Sequence, residues 1–178
     1  MNCPKCPQTA LAKLRETSPL PAWSCPRCGG TWIADGKALG AVPPVGLPVG
    51  EAQNNELDRK AGVCPQGHGL LTRAQTHLDG GFFLERCTTC WGVWFDQGEW
   101  HRIAAAGLAS GLFEIWSTFW QKERRREQAR DHLRVHLIDE LGEDFVSRIE
   151  SIAADLKEHP SRSLGVAYLL ACLRGDRP

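Results

Sequence analysis

Cys25-Pro-Arg-Cys-Gly-Gly-Thr-Trp-Ile-Ala-Asp-Gly-Lys37 is answered 62 residues later by Cys87-Thr-Thr-Cys-Trp-Gly-Val-Trp-Phe-Asp-Gln-Gly-Glu99. Each stretch is preceded by a second pair of candidate ligands at one spacing. Cys3-x2-Cys6 ends 18 residues before Cys25, and Cys64-x3-His68 ends 18 residues before Cys87. Equal gaps and a constant offset mark a duplicated module, and an internal repeat sets the architecture before local detail does.

The residue types explain the spacing. A Cys-x2-Cys turn places two sulfurs on one side of a tight knuckle, and two such knuckles on separate hairpins complete a tetrahedral shell. The ligands read in this way are Cys3, Cys6, Cys25 and Cys28 for one Zn²⁺, and Cys64, His68, Cys87 and Cys90 for a second. Spacing favours His68 over His77, which falls in mid-hairpin. Pro4, Pro26 and Pro65 each stiffen a turn, and Gly29 and Gly30 suit a knuckle because glycine allows close backbone approach. Each 18-residue gap has room for one hairpin, in the second case Leu70 to Gln75 and Phe82 to Arg86 around Asp79-Gly80-Gly81. A redox dithiol and another thiolate-loving metal such as iron are the competing readings. The first lacks a thioredoxin-like βαβ pattern, and the second would use the same tetrahedral sites. Four protein ligands leave no open position for catalysis.

The motif residues resemble the transcription factor IIB-type zinc-ribbon family, whose pattern is a CPxC pair, a hairpin, then CPxCGGxWLDxGEL. The likeness covers roughly residues 1–40 and 62–102. It implies the same eight ligands and two tandem ribbons. Copy one departs from the pattern with Ala34 for Asp and Lys37 for Glu. Copy two departs with Trp91 at the first Gly and His68 for a cysteine. Trp32 and Trp94 recur beside the ligands and are expected to pack over the knuckles rather than serve as exposed stacking platforms for bases. Asp96 and Glu99 read as first-turn carboxylates of a short helix running into Trp100 and Ile103.

Composition bounds the rest. The 178 residues carry 21 basic and 21 acidic side chains, so there is no overall excess to neutralise phosphates. Two Zn²⁺ and seven thiolates would move the formal charge to about −3. The polar opening Met1-Asn2-Cys3-Pro4 lacks an apolar signal region, which points to a reducing, cytoplasmic setting.

Gly40-Ala-Val-Pro-Pro-Val-Gly-Leu-Pro-Val-Gly50 reads as a semi-extended linker, and Glu51 to Lys60 as a short polar helix. Beyond Gln97 the pattern turns helical. Leu108, Leu112, Ile115, Trp116, Phe119 and Trp120 lie on one face of a helix expected to continue to Val135. That face would serve as a dimer interface or fold back into the chain. Glu114 argues against a membrane span through it. An interfacial helix ahead of Lys122-Glu-Arg-Arg-Arg126 is a further reading. After a break at Gly142, Phe145, Ile149, Ile152, Ala153 and Leu156 form a second stripe. Pro160 ends it, and Ser161 or Ser163 caps a third helix that places Cys172 in a bundle core. Arg124, Arg125, Arg126, Arg130 and Arg134 alternate with Glu123, Glu127 and Asp131, as on a salt-bridged solvated helix. His132 and His136 lack the intervening glutamate of a helical zinc motif and read as surface.

The expected architecture is zinc ribbon 1 (1–40), a Pro/Gly-rich linker with a short helix (41–61), zinc ribbon 2 (62–102) and a helical region (103–178). The expected role is a non-enzymatic adaptor for a protein partner, with nucleic acid or the transcription machinery as the alternative.

Overall fold

Trp32 and Trp94 pair at the centre of a six-stranded antiparallel sheet whose order is β1-β2-β3-β6-β5-β4. The computed structural model describes residues 1–14, 20–40, 55–78 and 80–175. Ribbon 1 supplies β1 (Ala12–Leu14), β2 (Ala22–Ser24) and β3 (Thr31–Ile33). Ribbon 2 supplies β4 (Thr72–Gln75), β5 (Phe83–Arg86) and β6 (Val93–Phe95), so its hairpin forms where its sequence alternates between turn signals. Asp79, in the expected turn, lies outside the described residues, as do 41–54. Of the expected polar helix, Asn55–Asp58 forms α1.

The junction between ribbons follows from the repeat. Thr31 pairs with Phe95, Trp32 with Trp94, and Ile33 with Val93. The offset of 62 maps Thr31 onto Val93 and Ile33 onto Phe95, so this register is its own image under exchange of the two copies. Strands at the middle of a sheet alternate their side chains between two covered faces, which is why β3 and β6 are buried throughout. Trp32 and Trp94 face the cysteines, with Leu71 beside them. Ile33, Val93 and Phe95 face the other way, into a cluster with Leu84, Trp100, Ile103, Leu112 and Ile115.

That second cluster corrects the expected long helix. The chain forms α2 (Glu99–Ala105), turns at Gly107 with φ +69°, makes a short 3-10 helix (Leu112–Trp116), and extends through Ser117 before α3 (Thr118–Leu141) begins. Residues 108–120 are therefore not one helix. Leu112 and Ile115 are fully buried against the sheet, and Leu108, Phe113, Trp116 and Trp120 pack around them. Most of the face read as a dimer interface is consumed within the chain, with Phe119 left exposed, because the sheet needs an apolar cover on that side.

The chain divides into two compact units, Met1–Arg125 and Arg126–Pro178, so residues 103–125 belong with the ribbons and not with the helices that follow. In the second unit, Gly142 at φ +82° separates α3 from α4 (Glu143–Glu158), and α5 (Arg162–Arg174) follows Pro160. The helices lie where the breaks and caps placed them. No packed bundle core forms among the described residues. Among the described residues of this unit only Val146 is buried, and Cys172, expected inside, is exposed because nothing in the unit covers that side of α5. His132 and His136 are exposed as read, and Arg134 pairs with Glu150 at 2.9 Å. Among the described residues, no helix is long and apolar enough to cross a membrane.

The two tryptophans impose a steric condition on the junction. A Cβ built on Gly92 would meet the Trp32 ring at 2.1 Å, and one on Gly30 would meet the Trp94 ring at 2.2 Å. Each ring thus lies on the other ribbon's glycine. Gly92→Ala should cost about 2–3 kcal/mol through overpacking, read as a lower denaturation midpoint of the zinc-loaded protein. An unchanged midpoint would mean that the two rings do not interlock the ribbons.

Candidate metal centres

Each centre is assembled from two local devices, a knuckle ahead of the hairpin and a knuckle between its last two strands. In the first knuckle of ribbon 1, the Lys5 and Cys6 amides point at Cys3 Sγ, at 3.4 and 3.2 Å. In the second knuckle of ribbon 2, the Thr89 and Cys90 amides point at Cys87 Sγ, at 3.4 and 3.5 Å. The closing backbone bonds repeat as well. Cys25 N donates to Gly30 O at 2.8 Å, and Cys87 N donates to Gly92 O at 2.9 Å.

The structure brings Cys3, Cys6, Cys25 and Cys28 into one set and Cys64, His68, Cys87 and Cys90 into another, the candidate atoms of each lying within 4.8 Å of one another. A tetrahedral zinc with Zn–S near 2.3 Å sets S···S edges of about 3.8 Å and S···N edges of about 3.6 Å. Cys3–Cys28 and Cys64–Cys90 are each 3.7 Å apart, and His68 Nδ1 lies 3.5 Å from Cys64 and 3.7 Å from Cys87. The residues fit two zinc ions, with His68 presenting Nδ1. His77 is directed elsewhere, with Nε2 3.1 Å from Gln121 Oε1 and its ring beside Trp120.

In the thiol state the sulfurs are unequal. Burial pushes Cys6 up to about 11 and Cys90 to about 12. At Cys87 burial also opposes ionisation, but the amides of Cys90 and Thr89 outweigh it and bring the thiol to about 6. Zinc loading must expel protons from Cys6 and Cys90, so folding, metal and proton release are linked.

Behind the centres lies a polar network that spacing did not reveal. Lys5, between the first two cysteines, is almost wholly buried. Its Nζ donates to Glu85 Oε1 at 2.8 Å, to Leu57 O at 3.0 Å and to Lys60 O, and lies 4.0 Å from Asp96 Oδ2. Arg73 Nε sits 3.1 Å from the same Glu85 oxygen, and its Nη2 bonds the Asp58 carbonyl. Asp58 Oδ1 accepts the Phe83 amide at 2.9 Å. One ammonium therefore ties ribbon 1, α1 and ribbon 2 together. The only sequence signal was a lysine inside a knuckle, which says nothing about what it meets 80 residues away.

Glu99 opens α2 as read, whereas Asp96 lies three residues ahead of the helix, and both carboxylates are largely withdrawn from solvent. Glu99 Oε2 accepts the Asp96 amide at 2.7 Å, and Asp96 Oδ1 accepts Trp94 Nε1 at 2.7 Å. In ribbon 1 the counterpart of Asp96 is Ala34, and Trp32 Nε1 is buried with no hydrogen-bond partner. Asp58, Asp96 and Glu99 also cluster, with Lys5 as their nearby cation. Burial, reinforced by the Asp96 charge, holds Glu99 well above the ordinary carboxylate range.

The model of the transcription factor zinc-finger family, the TFIIB-type zinc ribbon, matches residues 2–40, which span the first centre. No curated protein and no solved structure matches the chain. The second centre, at Cys64, His68, Cys87 and Cys90, is established by its geometry.

Elemental analysis should find two zinc ions per chain, falling towards one in His68→Ala and staying at two in His77→Ala. Retention of both ions in His68→Ala would remove His68 from the ligand set. Glu99 gives a pH signature. Its raised pKa means that the folded chain holds a proton the unfolded chain releases, so its contribution is full below about pH 4.5 and is lost as pH rises. Glu99→Gln keeps an acceptor for the Asp96 amide. Its melting temperature relative to wild type should climb between pH 5 and 8, whereas a flat difference would show Glu99 to be solvated.

Proposed function

We propose that this chain is a non-enzymatic, zinc-scaffolded adaptor whose ribbon sheet offers a basic-aromatic surface to an acidic segment of a protein partner. Two closed four-ligand centres support a structural role for the metal, since neither retains a position for substrate or water.

One observation carries the reading. Lys37 and Trp91, each a departure from the family pattern in a different copy, converge on one spot. Lys37 Nζ lies 4.0 Å from the centroid of the Trp91 ring. The Arg86 guanidinium lies 5.1 Å from the same ring, 5.6 Å from Phe113 and 5.0 Å from Trp116. Trp91 holds φ +61°, a conformation its counterpart Gly29 adopts freely at +68°. A bulky residue there costs about 1–3 kcal/mol, and such strain collects at functional sites. Among the described residues neither cation has a carboxylate within ion-pairing distance, and Arg86 Nε is buried without an acceptor. Burial lowers the Arg86 pKa. The rings offset part of that desolvation, and a carboxylate from a partner would pair with the charge of the guanidinium.

The alternative, a nucleic-acid or transcription-machinery contact, rests on the family match at residues 2–40. Two cations with aromatic walls suit one or two carboxylates better than a phosphate backbone, whose binding draws on many cations. The test is fluorescence anisotropy with a labelled Asp/Glu-rich peptide, a neutral peptide of equal length and a single-stranded oligonucleotide. The acidic peptide should bind selectively and weaken at least about tenfold in Arg86→Gln and Lys37→Glu, with both zinc ions retained. Preference for the oligonucleotide with a steep salt dependence would support the alternative instead.

A further inference from the structure

We propose that the α4–α5 hairpin docks against the same hairpin of a second copy of this chain, two copies closing an antiparallel four-helix bundle. The pair is already formed as half of such a bundle. Leu156 Cδ2 lies where a Cβ on Gly165 would be, at 2.4 Å, so the glycine lets α5 settle closely on α4. One side of the pair is then a continuous apolar groove, with Phe145, Ile149, Ile152 and Leu156 from α4 facing Val166 and Leu169 from α5. The α4 residues recur at intervals of four, three and four, a stripe that helices bury rather than show.

Here the stripe is shown. Phe145 is 48% exposed, Ile149 and Ile152 47% each, and Leu173, at the groove's open end, 83%. A helical unit with one buried residue among those described cannot offset its ordering entropy, so its apolar side needs a cover.

Two features select a second copy as that cover. The exposed portions of Phe145, Ile149, Ile152, Val166, Leu169 and Leu173 amount to roughly 500 Å² per chain. Self-docking would hide about 1,000 Å² in all, which reaches the size of a specific, modest-affinity interface. The ends are also self-complementary. α4 opens with Glu143 and Asp144 and carries Lys157 in its last turn beside Glu158, and α5 opens with Arg162 and ends on Arg174. Lys157 and Arg162 are the charged residues lining the groove. An antiparallel two-fold brings the basic end of one hairpin over the acidic end of the other, twice per dimer. None of Glu143, Asp144, Lys157 and Arg162 is taken by an ion pair among the described residues.

Sedimentation of the zinc-loaded full chain between about 1 and 100 μM should give twice the 19.7 kDa chain mass. Ile149→Glu alters a half-exposed side chain, so the helices and the zinc content should survive while the dimer weakens at least about tenfold. Lys157→Glu with Arg162→Glu should also weaken it, and adding Glu143→Lys with Asp144→Lys to that chain should restore it. Arg86→Gln should leave the mass unchanged, which separates this interface from the peptide surface. A wild type that stays monomeric at 100 μM, or a dimer indifferent to Ile149→Glu, overturns the proposal. A groove protected from hydrogen exchange in a monomer would also overturn it, since the cover would then come from within one chain. Failure of the charge swap to restore association would overturn the antiparallel arrangement.

Discussion

Where β3 meets β6, two small metal modules stop being separate. Neither ribbon has enough apolar surface to hold a fold alone, and each leaves one strand edge that wants a partner. Pairing Trp32 with Trp94 answers both needs. It hides the two edges in one sheet and drives each ring onto the other ribbon's glycine. It also produces a continuous second face that the chain must cover, which is why the segment after α2 abandons helical continuity and folds Leu112 and Ile115 onto the sheet.

The metal and the polar network divide the remaining labour. Zinc holds the knuckles, where there is almost nothing to bury, by coordination. Lys5 holds the seam, where the two ribbons and α1 come together away from water. Such a buried ion network is a costly source of stability but a strong source of specificity. An ammonium that bonds Glu85 Oε1 and two carbonyls leaves few other ways for the ribbons to meet.

The ligands could be read from the residues because metal chemistry leaves a local record. Two sulfurs on one knuckle require a fixed spacing, and the eight side chains fall where that spacing put them. Both ends of α4 and the start of α5 were equally visible, since Gly142 and Pro160 act on the backbone within a residue or two. What could not be read depended on distant partners. Nothing near Lys5 announces Glu85. The helical spacing of Leu108 to Trp120 is real, but Gly107 and the demands of the sheet outweigh it. Cys172 follows an apolar pattern correctly, yet an apolar pattern identifies a surface that wants burial and does not say whether the same unit supplies the cover.

The register at the junction maps onto itself when the two copies are exchanged, as it would if two identical ribbons had met as separate molecules about a dyad. A molecule of that kind must carry each substitution twice, once on either side of its axis. Joining the halves in one chain lifts the obligation. Lys37 can stand in one half while Glu99 stays buried in the other, and Trp91 can carry a ring where its counterpart Gly29 carries no side chain. The sheet keeps its near-symmetry while its surface acquires a front and a back, and a scaffold built from a repeat is able to face one partner in one direction.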